Sequence, residues 1–295
     1  NLTLLALYDQ EDRLLSYGDL IFEYNDHGDL KKKTNTTTGD STTYTYNQLG
    51  QLTNVTLPEL RQITYSIDGE GKRQSKSVNG VVDTYYVYDF NGRLVAELNP
   101  SGSLRSHFVY ATQNHSPDLM IKYGVTYRLA KDHLGSIRAV INTQTGEVAQ
   151  QINYDEFGVV TEDSNPGYQP FGFAGGHYDP DTKLVRFGAR DYDAEVGRWT
   201  SKDPILFGGG DTNLYGYTFI DPVNHIDLAG TVPLPVDHGA NQPPTEPGLI
   251  PIDLIGYVIG GGALIRITPF RILTWAAGQM CATSPASCRN GGPIP

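Results

Sequence analysis

Tyr86-Val87-Tyr88-Asp89-Phe90-Asn91-Gly92-Arg93-Leu94-Val95 is the stretch that decides the fold. Tyr86 and Tyr88 alternate with Val87, which gives a strand two distinct faces. Asn91-Gly92 predicts the positive φ values of a two-residue hairpin turn. Arg93-Leu94-Val95 then starts the return strand. The same spacing, a tyrosine with a glycine four residues on, recurs at Tyr24/Gly28, Tyr46/Gly50, Tyr65/Gly69 and Tyr154/Gly158. Tyr8 begins a further copy with Asp12 in the glycine place, and the early tyrosines (8, 24, 46, 65, 88) stand 16, 22, 19 and 23 residues apart. One hairpin is unstable in water. Stacked hairpins bury a shared aromatic face, as repeat arrays do. The expectation is an all-β fold, a spiralling array of antiparallel hairpins whose tyrosines pack rather than catalyse.

Composition agrees. The 295 residues include 33 Gly, 18 Pro and 19 Tyr but 2 Met, a mixture suited to short strands and tight turns. The formal net charge of −11 leaves no excess of cations to neutralise phosphates, which argues against nucleic acid as a partner. Cys281 and Cys288 make neither a disulfide framework nor a complete metal site. His177, His225 and His238 lack metal-ligand spacing, and Gly208-Gly209-Gly210-Asp211 lacks the Lys-Ser/Thr of a phosphate loop. No cofactor or metal is expected. Asn1 is followed by Leu2-Thr3-Leu4 with no basic leader, so the chain reads as a piece of something longer.

Three regions follow from the pattern: hairpin repeats over 1–130, a motif-dense end unit over 131–231, and a Pro-rich linker with a variable tail over 232–295. The tail contains an apolar run, Leu254–Ile265, that is short and Gly-rich for a membrane span. Membrane contact by 249–280 is the lesser expectation, and packing against or inside the array the greater.

The end unit carries Lys131-Asp132-His133-Leu134-Gly135-Ser136-Ile137-Arg138, Tyr154-Asp155-Glu156-Phe157-Gly158 and Pro170-Phe171-Gly172-Phe173-Ala174-Gly175. Arg186-Phe187-Gly188-Ala189-Arg190-Asp191-Tyr192-Asp193 follows, then Gly197-Arg198-Trp199-Thr200-Ser201-Lys202-Asp203-Pro204, Asn213-Leu214-Tyr215-Gly216-Tyr217 and Asp221-Pro222-Val223-Asn224-His225-Ile226-Asp227. In this order they resemble the Rhs-repeat-associated core domain of Rhs/YD-repeat proteins. The family also includes the C subunits of insecticidal toxin complexes and the YD shells of teneurins. The resemblance implies a hollow β shell around a C-terminal toxin, plugged by the core domain. It also implies aspartyl-type self-cleavage after the core, with export to the medium or the cell surface. Implied partners are the enclosed tail or toxin, a delivery or secretion machinery and an immunity protein.

Asp203 and Asp227 match the family's two catalytic aspartates. Two neighbouring carboxyls can share one proton, one acting as base and the other as acid. Arg198 is expected to orient the pair. The family ends its core with Asp-Pro-x-Gly-Leu, whereas this chain has Asp227-Leu228-Ala229-Gly230-Thr231. The cut would fall between Thr231 and Val232, with Leu228 and Thr231 as departures. Two other readings stand beside self-cleavage: a non-catalytic YD-repeat module for cell-surface adhesion or carbohydrate binding, and a shell with a membrane-contacting tail.

Overall fold

The computed structural model describes residues 5–236 and the backbone of 258–259 and 263–264. The chain divides into two compact units, Asn1–Gly239 and Ala240–Pro295. In the second, Val258–Ile259 pairs antiparallel with Ala263–Leu264. Cys281, Cys288 and most of the 249–280 segment lie outside the described residues.

The first unit is built on a single meandering strip. Its strands are β1 (Ala6–Tyr8), β2 (Leu14–Tyr17), β3 (Leu20–Tyr24), β4 (Leu30–Asn35), β5 (Ser41–Tyr46), β6 (Leu52–Thr56), β7 (Gln62–Ile67) and β8 (Arg73–Val78). They continue as β9 (Val81–Tyr88), β10 (Leu94–Leu98), β11 (Leu104–Val109), β12 (Leu119–Lys122), β13 (Val125–Lys131), β14 (Ile137–Asn142), β15 (Val148–Tyr154) and β16 (Val160–Asp163). All 16 are hydrogen-bonded in chain order. The expected hairpin array is therefore present, and it runs through residue 131 without a break, because β13 pairs with β14.

The turn chemistry differs from the expectation. Asp89 Oδ1 accepts the N–H groups of Asn91 (3.0 Å) and Arg93 (2.9 Å), and the Asp89 N–H donates to the Arg93 carbonyl. Gly92 has φ +78° while Asn91 stays out of the left-handed region. The loop is thus Phe90-Asn91-Gly92, a type I turn closed by a left-handed residue, rather than a two-residue turn. The carboxylate satisfies two backbone donors at once and so selects the longer loop. Two-residue turns do occur, at Asn79-Gly80 and Tyr123-Gly124.

The same cap starts at Asp9, Asn25, Asn47, Asp68, Asp132 and Asp155. Each of these turns joins an odd strand to the next even one, so they share one rim of the strip. The anchor of the repeat is therefore the Asp or Asn. At Asp68 the preceding residue is Ile67 and the left-handed glycine is Gly71, which puts the Tyr65/Gly69 copy out of register. Asp132-His133-Leu134-Gly135 is another copy, hidden inside a family motif. A ladder runs along this rim. A Cβ on Gly50 would lie 3.7 Å from Asp29 Oδ1, on Gly71 2.6 Å from Gln51 Nε2, and on Gly92 3.1 Å from Lys72 Cε. Asp29, Gln51 and Lys72 each close the preceding turn, so at these three steps a turn's last side chain lies over the next turn's glycine.

One face of the strip is apolar. Leu14, Phe22, Leu30, Leu52, Val55 and Ile63 form one cluster with Leu184 from outside the strip. Leu94, Phe108, Met120, Leu129, Ile137 and Val140 form another with Phe171. The partners come from residues 167–231, which include a second sheet of β17 (His177–Asp179), β18 (Leu184–Phe187), β19 (Arg190–Asp193) and β20 (Arg198–Trp199). Between strip and sheet lies a buried ionic seam. Asp191 holds Arg73 of the strip at 2.6 Å and Arg186 at 2.8 Å. Asp179 holds Lys76 at 2.6 Å and accepts the Tyr65 hydroxyl at 2.6 Å. Asp193 holds Lys33 at 2.7 Å. A charge taken out of water must be paired, so these pairs fix the register of the small sheet on the strip.

Candidate active site

The site grows from β19 and the loops behind it. All four β19 residues, Arg-Asp-Tyr-Asp, are buried. Asp191 and Asp193 serve the ionic seam. Arg190 points the other way, onto the face of Trp199 with its guanidinium carbon 4.2 Å from the ring centre. Its Nη2 lies 2.8 Å from Asp203 Oδ2 and 3.3 Å from Asp227 Oδ2. Two carboxylates predicted from sequence are therefore brought to one guanidinium nitrogen. Asp203 is 6 % exposed and Asp227 0 %.

Each carboxylate is also fixed to the backbone. Asp203 Oδ1 accepts the Ile205 N–H at 2.9 Å. Asp227 Oδ1 accepts the N–H of Thr231 at 2.9 Å and of Val232 at 3.1 Å. The peptide bond expected to be cut thus has its nitrogen on Asp227. Its carbonyl lies on Gly209, where a Cβ would be 2.5 Å from Thr231 O and 3.1 Å from Asp203 Oδ2. Residues before the bond are pinned: Ala189 N–H donates to the Ala229 carbonyl at 2.9 Å, and Arg190 Nε to the Gly230 carbonyl at 2.6 Å. Gly230 has φ +66°, and a Cβ there would meet Phe187 O at 2.4 Å, so this position tolerates no side chain. β21 (His225–Ile226), before the bond, pairs with β22 (Leu234–Pro235), after it.

Burial raises the Asp203 carboxyl above its ordinary range against the pull of Arg190, and the Asp227 charge pushes the same way. Burial likewise lowers the Arg190 guanidinium, opposed by both aspartates. Two buried carboxyls on one guanidinium form the kind of pair in which one group can act as acid and the other as base. The cleft lined by Arg190, Asp203, Gly209, Leu214 and Thr231 leaves about 10 Å³ for a water's centre, roughly one molecule's worth.

Arg198, expected beside the pair, is elsewhere. It bonds the Asp12 carbonyl and Asn213 Oδ1 and stacks near Tyr8 and Tyr215. Alternation on a strand explains this: Arg198 and Trp199 face opposite ways on β20. Arg198 holds the first hairpin, while Trp199 supports Arg190. The signal missed in the sequence was Arg190 itself, an arginine in a strand flanked by apolar segments, where a buried cation demands carboxylate partners. Of the departures from the family ending, Leu228 packs against the aromatic cluster of Phe187, Tyr192, Trp199 and Tyr217.

A hairpin strip with a second small sheet held on it by buried ion pairs defines the class as a YD-repeat β shell. The teneurin YD-shell family model matches residues 2–223, and the chain belongs to that family. Teneurin-3 of Danio rerio is 32 % identical over 234 residues, 74 % of this chain and 8 % of its own length. Teneurin-1 of Gallus gallus is 34 % identical over 227 residues, again 74 % and 8 %. This chain thus spans under a tenth of those relatives. Among solved structures, a Tc holotoxin pore of Photorhabdus luminescens is similar over 79 % of this chain and 11 % of its own, at 17 % identity and a TM-score of 0.47.

Proposed function

We propose that this chain is wall and end plug of a hollow β shell that encloses the polypeptide after Val232, and that Asp203 and Asp227 cut the Thr231–Val232 bond. The carrying observation is Asp227 Oδ1 on the amides of both Thr231 and Val232. In the reaction, Asp227 takes a proton from water as the water oxygen adds to the Thr231 carbonyl carbon, and protonated Asp203 polarises that carbonyl. Asp227 then passes its proton to the Val232 nitrogen, and the C–N bond breaks. Thr231 becomes a carboxyl terminus and Val232 an amino terminus. The released chain is the cargo, and the parent protein works outside the cell or on its surface. A delivery machinery and an immunity protein are the partners such a cargo would require.

Intact mass spectrometry of the freshly made full chain tests this. A product beginning at Val232, lost in Asp203→Asn and Asp227→Asn, supports it. An uncut wild type would overturn the cleavage and leave the shell. The second reading, a non-catalytic surface module, rests on the teneurin family match and would then take its place.

A further inference from the structure

The chain just beyond the Thr231–Val232 bond is held by contacts of its own. Val232-Pro233-Leu234-Pro235-Val236 opens a Pro-rich stretch that composition assigns to a linker, yet part of it is bound as a strand. Ile226 stands opposite Leu234 and His225 opposite Pro235. The Val236 N–H extends the pairing by donating to the Asn224 carbonyl at 2.7 Å. That bond makes His225–Pro235 the non-hydrogen-bonded pair of the ladder, so the proline falls where no donor is called for. Pro233 and Pro235 also restrict Val232 and Leu234 to extended backbone, which lowers the ordering cost of holding the strand. The Val236 side chain packs against the cluster that contains Ile226. Val232 and Leu234 stay exposed, so apart from Val236 the grip is on backbone.

We infer that residues 232–236 are a retention strand: β21 and Asp227 keep hold of the new amino terminus after the cut, so that cutting and release are separate events. The cut rests on the proposed cleavage; the grip does not, because the intact chain already makes every contact in it. None of those contacts passes through the Thr231–Val232 bond. Breaking that bond turns the Val232 amide, 3.1 Å from Asp227 Oδ1, into an amine that is largely protonated at neutral pH. A neutral donor becomes a charged one beside the same carboxylate, which strengthens the contact. The other side of the cut is tied independently, since the Thr231 N–H donates to the same Asp227 oxygen and Arg190 Nε to the Gly230 carbonyl. Release then requires β22 to unpair from β21, a local opening rather than a bond cleavage. Two strands of two residues make a weak sheet alone, so the hold delays release and does not forbid it.

The test compares the full chain with Val236→Pro, which removes the amide that donates to Asn224 and leaves both aspartates in place. In freshly cut wild type, size exclusion after dilution should carry the fragment that begins at Val232 together with the part that ends at Thr231. In Val236→Pro that fragment should leave about tenfold faster or more. Equal rates, or a wild-type fragment that leaves at once, would overturn the inference. The second measurement needs no cut: hydrogen exchange on the full chain carrying Asp203→Asn. There the Val236 amide should exchange at least about tenfold more slowly than an unprotected amide. Slowed exchange supports the grip even if the wild type is never cut, in which case the cleavage reading alone fails. Exchange at the unprotected rate overturns the grip, whether or not the wild type is cut.

Discussion

Asp191→Ala should be among the most damaging single changes in the first unit. Asp191 is one carboxylate serving two buried guanidiniums, Arg73 and Arg186, at 2.6 and 2.8 Å, with side chains 1 %, 1 % and 6 % exposed. Arg73 also lies 3.6 Å over the Tyr65 ring, and Arg186 has a long bond to the Gly71 carbonyl. Neither of these contacts neutralises a charge. Removing one member of a buried pair costs about 3–5 kcal/mol because the other charge is left uncompensated. Here two are left, so the loss should reach the upper part of that range. The contrast is Glu70→Ala, whose partner Lys72 is reached by a 76 % exposed side chain and whose loss should cost under about 1 kcal/mol. Urea unfolding of the full chain in an Asp203→Asn background, followed by tryptophan fluorescence, reads both. Trp199 sits in the aromatic cluster beside the seam's sheet and reports its opening. A loss under about 1 kcal/mol for Asp191→Ala would refute the argument, because it would mean that water solvates the seam and that burial does not enforce pairing there.

Other outcomes follow from the same geometry. Gly158→Ala combines φ +91° with a Cβ 2.3 Å from the Phe173 ring and should destabilise by about 3 kcal/mol or more; Gly39→Ala, at φ +79° with open space around it, should cost about 1 kcal/mol in the same denaturation assay. Gly209→Ala puts a Cβ 2.5 Å from the Thr231 carbonyl oxygen, so it should lower the unfolding midpoint and also suppress the Val232 product in mass spectrometry. For acid stability, burial opposes ionisation of Asp179, but Lys76 and the Tyr65 hydroxyl outweigh it and hold the carboxyl below its ordinary 3.8. That stability is complete above the ordinary value and lost as pH falls through the folded one, so the midpoint should be flat from about pH 7 to 5 and drop below about pH 4. Asp203 has the opposite sign: burial raises its carboxyl, so that contribution is complete below the ordinary value and is lost as pH rises through the folded one.

The all-β meander was legible because Tyr86-Val87-Tyr88 shows a period of two and a left-handed residue follows at a fixed offset. The exact loop was not, since Asn-Gly is also a two-residue turn signal and the competing Asp89 side chain decides between them. Asp203 and Asp227 were legible through their flanking motifs. Arg190 was not, because the distance between the aspartates in sequence says nothing about what fills the space between them. Arg198 was misplaced for a local reason: one position along a strand reverses the face.

The ladder of turns along one rim has a consequence for how such a wall can change size. Three successive hairpins lend their closing side chains, Asp29, Gln51 and Lys72, to shield Gly50, Gly71 and Gly92 of their successors. Losing a single strand would send every later turn to the opposite rim and leave those glycines bare. Losing or gaining a whole hairpin restores the neighbour relation at once. Circumference in this architecture should therefore vary in steps of two strands, and a one-strand insertion should be a folding lesion wherever it falls.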